Sequence, residues 1–280
     1  MYLAAGALQY VGGQVMKRAM GGDGGGPSNA EVIAAIKAAT EEIKRHVSAE
    51  VRAAITEDHV RQLDACCEST FGKLMTYSGI EPSDRPRYIH LLTNADTSSR
   101  DGIALAGKLG AVGLPAYASL VSMQILVAKS FFDIDGKSYI YKQFVPILRI
   151  HTQYIMNGAS TYIDSLSPYV RMGTFNCSAK ETGGGGFPTR EFRCGITVDG
   201  QPAVEVGGLS NGPSGDEYYR EQANAAKLKK GDELLEFQKK MNTDFAKPMY
   251  ETANLWGQTA NLIESDGKRK LSQIPTPPPK

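Results

Sequence analysis
The chain has 280 residues, 41% of them hydrophobic, and a formal net charge of +1. That apolar share excludes a globally disordered chain, and the near-neutral balance excludes the basic field that draws proteins to nucleic acid. Four cysteines and four histidines occur without a C-x-x-C or H-E-x-x-H spacing, so neither a zinc site nor another cofactor site is expected.

Met1–Tyr10 is apolar, but no basic stretch precedes it, and the first cations are Lys17 and Arg18. It therefore does not read as a secretory signal. Residues 1–27 form an N-terminal segment that ends in the flexible Gly21–Pro27 break. Ser28 and Glu31 then have the spacing of a capping box. Val32, Ile36, Ala39, Ile43, Val47 and Val51 follow at helical spacing, opposite a face of Glu41, Glu42, Lys44 and Arg45. The period continues through Val60, Leu63, Cys67, Phe71 and Leu74 to about Tyr77, where Gly79 and Pro82–Pro86 stop it. A shorter helical pattern spans Arg87–Lys108 and is interrupted by the polar run Thr93–Ser99.

The next segment sets the functional question. Between Lys108 and Lys129 lie twenty uncharged residues. A helix of roughly 20 apolar residues crosses a bilayer's hydrocarbon core. Leu114, Ala118, Val121, Ile125, Ala128 and Phe132 make one apolar row, and Leu120, Met123, Val127 and Phe131 a second. A helix apolar over most of its circumference is surrounded either by other helices or by lipid. Gly110, Gly113, Pro115, Ser119, Ser122 and Gln124 count against a permanent span. Asp133–Lys137 reads as a turn.

Tyr139–Leu166 is again helical, with Pro146 expected in its first turn. His151 falls on its apolar stripe and reads as a core or groove histidine with one hydrogen-bond partner, the alternative being a pH sensor or ligand. Thr174–Cys177, Glu191–Val198 and Ala203–Val206 look like strands, with Asp199-Gly200 as a two-residue hairpin turn and Pro202 confining its strand to an edge. Cys177 and Cys194 flank Gly183–Gly186 and are the candidate disulfide. A bond there would imply an oxidising compartment, reached without an evident signal peptide. Helical period returns over Asp216–Ile263, with a break expected at Gly231 and a kink at Pro248. Trp256, Tyr162, Tyr218, Tyr219 and Tyr250 are packing groups or interfacial anchors. Residues 267–280 end in a Pro-rich tail.

The expected fold is mainly α, a multi-helix bundle around a central apolar helix, with a small antiparallel β excursion before the C-terminal helices. By residues, the bundle covers 28–170, the β-hairpin region 171–215, and a C-terminal helical segment packing on the bundle 216–266. No enzyme signature stands out: Ser119 and Ser122 lack a nucleophile elbow, Gly183–Gly186 lacks phosphate-loop spacing, and Asp133–Gly136 lacks the rest of a calcium loop.

The order of helices, with LPAYASLVSMQILVAKSFF followed by FVPILRIHTQYIMNGASTYIDSL, resembles the N-terminal helical domain of the three-domain insecticidal delta-endotoxins. Leu114, Pro115, Tyr117, Ala118, Leu120, Ile125 and Leu126 carry the likeness, which covers about Ser28–Pro168. The resemblance implies a bundle around one buried helix, and a hairpin of about Tyr88–Lys108 and Leu114–Phe132 that inserts into membrane and lines a pore. It names Leu114, Pro115, Tyr117, Leu120, Val121, Ile125, Leu126 and Phe132 as membrane-inserting, with a lipid membrane and further copies of the chain as partners. The two β-rich receptor-binding domains of that family have no counterpart here. The alternative reading is a soluble structural or protein-interaction bundle whose apolar helix stays in the core.

Overall fold
The computed structural model describes residues 57–135, 138–182, 189–211 and 213–272. The N-terminal segment, the helix expected from Ser28, the Gly183–Gly186 loop and the Pro275–Lys280 end lie outside the described residues. The protein is mainly α-helical, with a central apolar helix and a small antiparallel sheet ahead of the C-terminal helices. The helices are α1 (Glu57–Ser78), α2 (Ile89–Lys108), α3 (Leu114–Asp135), α4 (Ser138–Ser165), α5 (Pro168–Arg171), α6 (Pro213–Met241) and α7 (Lys247–Ser272). The strands are β1 (Asn176–Glu181), β2 (Arg190–Val198) and β3 (Gln201–Ser210).

Two compact units divide the chain: Met1–Ser160 with Asp244–Lys280, and Thr161–Thr243. The stretch 216–266 is thus split between them at Asp244.

In the first unit α2 packs against both α1 and α3. Its inward positions are Leu92, Ala95, Ser99, Gly102, Ile103 and Ala106, mostly small residues at helical spacing. Small side chains let neighbouring helix axes approach closely. A Cβ on Gly102 would stand 2.7 Å from Leu120 Cδ1 and 2.9 Å from Cys66 Cβ, so this glycine sits between α1 and α3. The polar run Thr93–Ser99 does not break the helix. Thr97 and Ser99 turn their hydroxyls onto the carbonyls of Thr93 (3.1 Å) and Asp96 (2.8 Å), which satisfies them locally. α7 buries Met249, Thr252, Ala253, Trp256, Thr259, Ala260 and Ile263, one stripe of a 3.6-residue period. Trp256 is therefore a core residue and not an interfacial anchor.

The second unit is a three-stranded antiparallel sheet in the order β1-β2-β3, covered by α6. Phe192, Cys194 and Ala223 form its core, with Phe175, Val206 and Tyr219 packed against them. Asp199 (φ 53°) and Gly200 (φ 77°) supply the two left-handed residues of the β2–β3 turn, as their identity predicts. Arg171 clamps that turn, its guanidinium donating to both Asp199 carboxylate oxygens, the shortest contact being 2.6 Å. This pairing holds the Asp199 carboxyl below its usual range.

Several boundaries differ from the sequence reading. The helix α3 continues to Asp135, carried through the expected turn by an ion pair of Lys129 with Asp133 one turn on. Pro146 lies inside α4, not in its first turn; it is exposed, so the missing N–H costs a bond on the solvent side only. Helix α6 passes Gly231 without a break, and ahead of Pro248 the chain makes a π-helical turn, Asn242–Ala246. Strand β3 extends through Gly207 and Gly208, because a Cβ at Gly207 would meet Phe192 O at 2.2 Å and only glycine allows β2 that close.

Cys177 and Cys194 are directly opposite in the β1–β2 register and are bonded to each other. Strand β1 is exposed along its whole length, so side-chain burial contributes little to holding it. Replacing both bonded cysteines by alanine is expected to destabilise this unit by ~3 kcal/mol, the usual value for a cross-link closing a loop of this length. Calorimetry reads that loss; a melt unchanged within error would show that the strand pairing stands without the bond.

Candidate functional site
Among the described residues α3 is the one helix long and apolar enough to cross a membrane, over Leu114–Ile134, and 83% of its apolar 18-residue window is buried. Its candidate inserting residues Leu114, Pro115, Tyr117, Leu120, Val121, Ile125 and Leu126 are all buried. Phe132 is half-buried near the far end, with Lys129 Nζ 5.4 Å from its ring centre. Helices α1, α2 and α7 pack on α3, and α4 meets it at Leu114, where a Cβ on Gly158 would stand 2.9 Å from Leu114 Cδ2. Pro115 is tolerated because it lies in the first turn.

Polar groups on α3 are satisfied mostly within the helix. Ser119 and Ser122 donate to the carbonyls of Pro115 (3.1 Å) and Ala118 (2.9 Å). Gln124 is the exception. It is 3% exposed, and its amide nitrogen donates to Asp96 Oδ1 of α2 at 3.3 Å, while its carbonyl oxygen has no partner among the described residues. Asp96 is also paired with Arg100, one turn on, at 2.8 Å. One amide–carboxylate bond therefore ties α3 to α2 at mid-length, and a buried acceptor left open costs about 1–3 kcal/mol.

The joint before α3 is tight. Gly110 has φ +60°, and the 3₁₀ turn Gly110–Gly113 follows directly on α2. A Cβ on Gly113 would lie 1.9 Å from the carbonyl oxygen of Ala106, which already accepts from Leu109 N at 3.1 Å. Three rings close over this joint. Tyr117 stacks on Tyr154 of α4 with centroids 4.5 Å apart, and meets His151 edge-on at 5.5 Å. Tyr117 Oη and His151 Nδ1 are 2.7 Å apart, and the Tyr154 hydroxyl donates to Gly107 O at 2.9 Å. Burial first, then the neighbouring Tyr154, pushes the Tyr117 phenol up to about 12; burial pushes His151 down to about 4. His151 has the single-partner role its apolar stripe predicts. The partnership with Tyr154 and Gly107 was not readable, since residues 47 positions apart in sequence meet only in the fold.

A second polar cluster joins α1 to α2. Lys73 Nζ donates to Ser69 Oγ (2.6 Å) and Ser98 Oγ (3.0 Å), and the two hydroxyls are 3.0 Å apart. Serine and lysine in such contact are the parts of a nucleophile and base, but here Lys73 also donates to Asn94 O at 3.4 Å. Both serines lie within helices, whose N–H groups are committed to the helix and offer no oxyanion site. The cluster is an interhelical clamp. Among the described residues no three His, Cys, Asp or Glu side chains converge where a metal ion could sit.

No family model matches this chain, and comparison with curated proteins and with solved structures finds no match for it.

Proposed function
We propose that this protein is a membrane-perturbing, pore-forming helical bundle, soluble until α3 is uncovered. The observation that carries the reading is α3 itself: long enough to span, apolar on nearly all sides, with the Ser119 and Ser122 hydroxyls bonded to its own backbone. In water its exposure costs about 25 cal/mol per Å² of apolar surface; in lipid that cost vanishes and a helix satisfies its own amides. Lys129 and Asp133 pair near the C-terminal end, ~9 Å from it for Lys129, where a long side chain reaches the interface. Helix α2 supplies the other arm of a hairpin, and its exposed Thr93, Asn94, Thr97, Arg100 and Asp101 face water in a pore formed by several copies. The likeness of helix order to the delta-endotoxin helical domain supports the same reading.

A soluble structural or interaction module is favoured instead by the depth of burial of α3 and by its tie to Asp96. Dye release from liposomes separates the two. The pore reading expects release at acid or neutral pH, with or without limited proteolysis; vesicles that stay tight under all four conditions would count decisively for the module. In that case Ser119→Cys should also stay unlabelled in the presence of lipid.

A further inference from the structure
Where α3 begins, the hydrogen bond between Tyr117 and His151, the Tyr117–Tyr154 stack and the bond from Tyr154 to Gly107 link α4, α3 and the end of α2 in one contiguous chain. We propose that this chain is an acid-sensitive latch, in which protonation of His151 frees the N-terminal end of α3 from α4 and loosens the joint 109–113. The consequence for membranes rests on the function proposed above; the release itself rests on the geometry of the joint.

In the neutral tautomer that carries its proton on Nε2, His151 Nδ1 accepts the Tyr117 hydroxyl proton across the 2.7 Å contact. With His151 protonated, Nδ1 becomes a donor, Tyr117 must accept, and its own proton loses that acceptor. The new cation also lies among neutral groups. Helix α3 faces it with Tyr117, and α4 with Tyr154. Arg149, two residues before it on α4, is turned to Asn261 and Glu264 of α7 at 3.0 and 2.8 Å. On α2, Lys108 is exposed, and Asp101 and Asp96 stand about two and three turns before Gly107. The charged groups of α3, Lys129 and Asp133, pair at its far end. Burial acts against the charged imidazole.

The sign follows from linkage. Burial pushes His151 down to about 4 in the fold from an ordinary 6.5, so the opened state binds the proton more tightly. The closed joint is at full strength above pH 6.5, weakens as pH falls, and reaches its floor near pH 4. Over that range the opening equilibrium can rise by roughly a hundredfold.

Hydrogen exchange of the full chain between neutral pH and the acid end of that range, corrected for intrinsic exchange chemistry, tests the latch. Amides of the joint and the first turn of α3 should lose protection at least tenfold (about 1.4 kcal/mol) in the wild type and hold it in His151→Gln. Equal loss in both would overturn the latch. An NMR titration of the wild type guards against a variant that fails to fold: a His151 ring titrating at its ordinary value would also overturn it. Dye release from phosphatidylcholine–phosphatidylglycerol vesicles separates this from the function above. Acid opening without release at any pH leaves the latch standing and removes the pore; release with one pH profile in wild type and His151→Gln removes the latch and keeps the pore.

Discussion
Val121→Asp is expected to abolish cooperative folding of the helical unit. Val121 is fully buried midway along α3, between Leu120 and the equally buried Ile125. A carboxylate placed there either stays ionised without a counter-charge or takes up a proton, and both cost several kcal/mol. The loss should be ~4–5 kcal/mol, a large part of the 5–15 kcal/mol that holds a typical domain. Ile150→Asp is the control: Ile150 is 66% exposed on α4, and a surface change of this kind moves stability by about 0.5 kcal/mol or less. Thermal melting followed by circular dichroism compares the two. A soluble Val121→Asp protein with an unchanged melt would mean that this position faces solvent and that α3 is not central.

Gly113→Ala should be nearly as damaging, by a different route. The added methyl group would occupy the place of the Ala106 carbonyl oxygen. A flexible side chain can swing away, whereas a backbone oxygen that already accepts from Leu109 moves only if the turn unwinds. We expect a loss of ~2–4 kcal/mol, within the upper range for overpacking against rigid neighbours. Gly110→Ala gives the contrast: there the added Cβ meets open space, and the penalty is the left-handed φ alone, about 1 kcal/mol. Equal effects at the two positions would show that conformation, and not close approach, is what both glycines supply.

Helix α3 was legible because an unbroken apolar run has few ways to be stable, and the β2–β3 turn because Asp-Gly is suited to two left-handed residues. The extent of α2 was harder to read. Its inward face has Leu92 and Ile103 as its large apolar residues, and Ala95, Ser99, Gly102 and Ala106 between them weaken the hydrophobic period; at Gly102 the value lies in being small beside Cys66 and Leu120. The end of α3 was placed early because Asp-Ile-Asp-Gly has turn composition, and the ion pair from Lys129 outweighs it. Of the site, the apolar positions came from pattern. The rings over the joint and the Gln124–Asp96 bond did not, since long-range pairs leave no local period to detect.

The core stripe of α7 ends with a practical gift for spectroscopy. Trp256 is the sole tryptophan of the chain, it is 1% exposed, and its indole N–H has no hydrogen-bond partner among the described residues. Its emission should therefore be that of an indole in an apolar, poorly quenched setting, and it reports on the helical unit alone, because the sheet unit has none. Acrylamide will quench it only when that unit opens to water, and brominated lipid only when the same core reaches a bilayer. The intact protein thus distinguishes, without any label, between a bundle that melts and one that inserts.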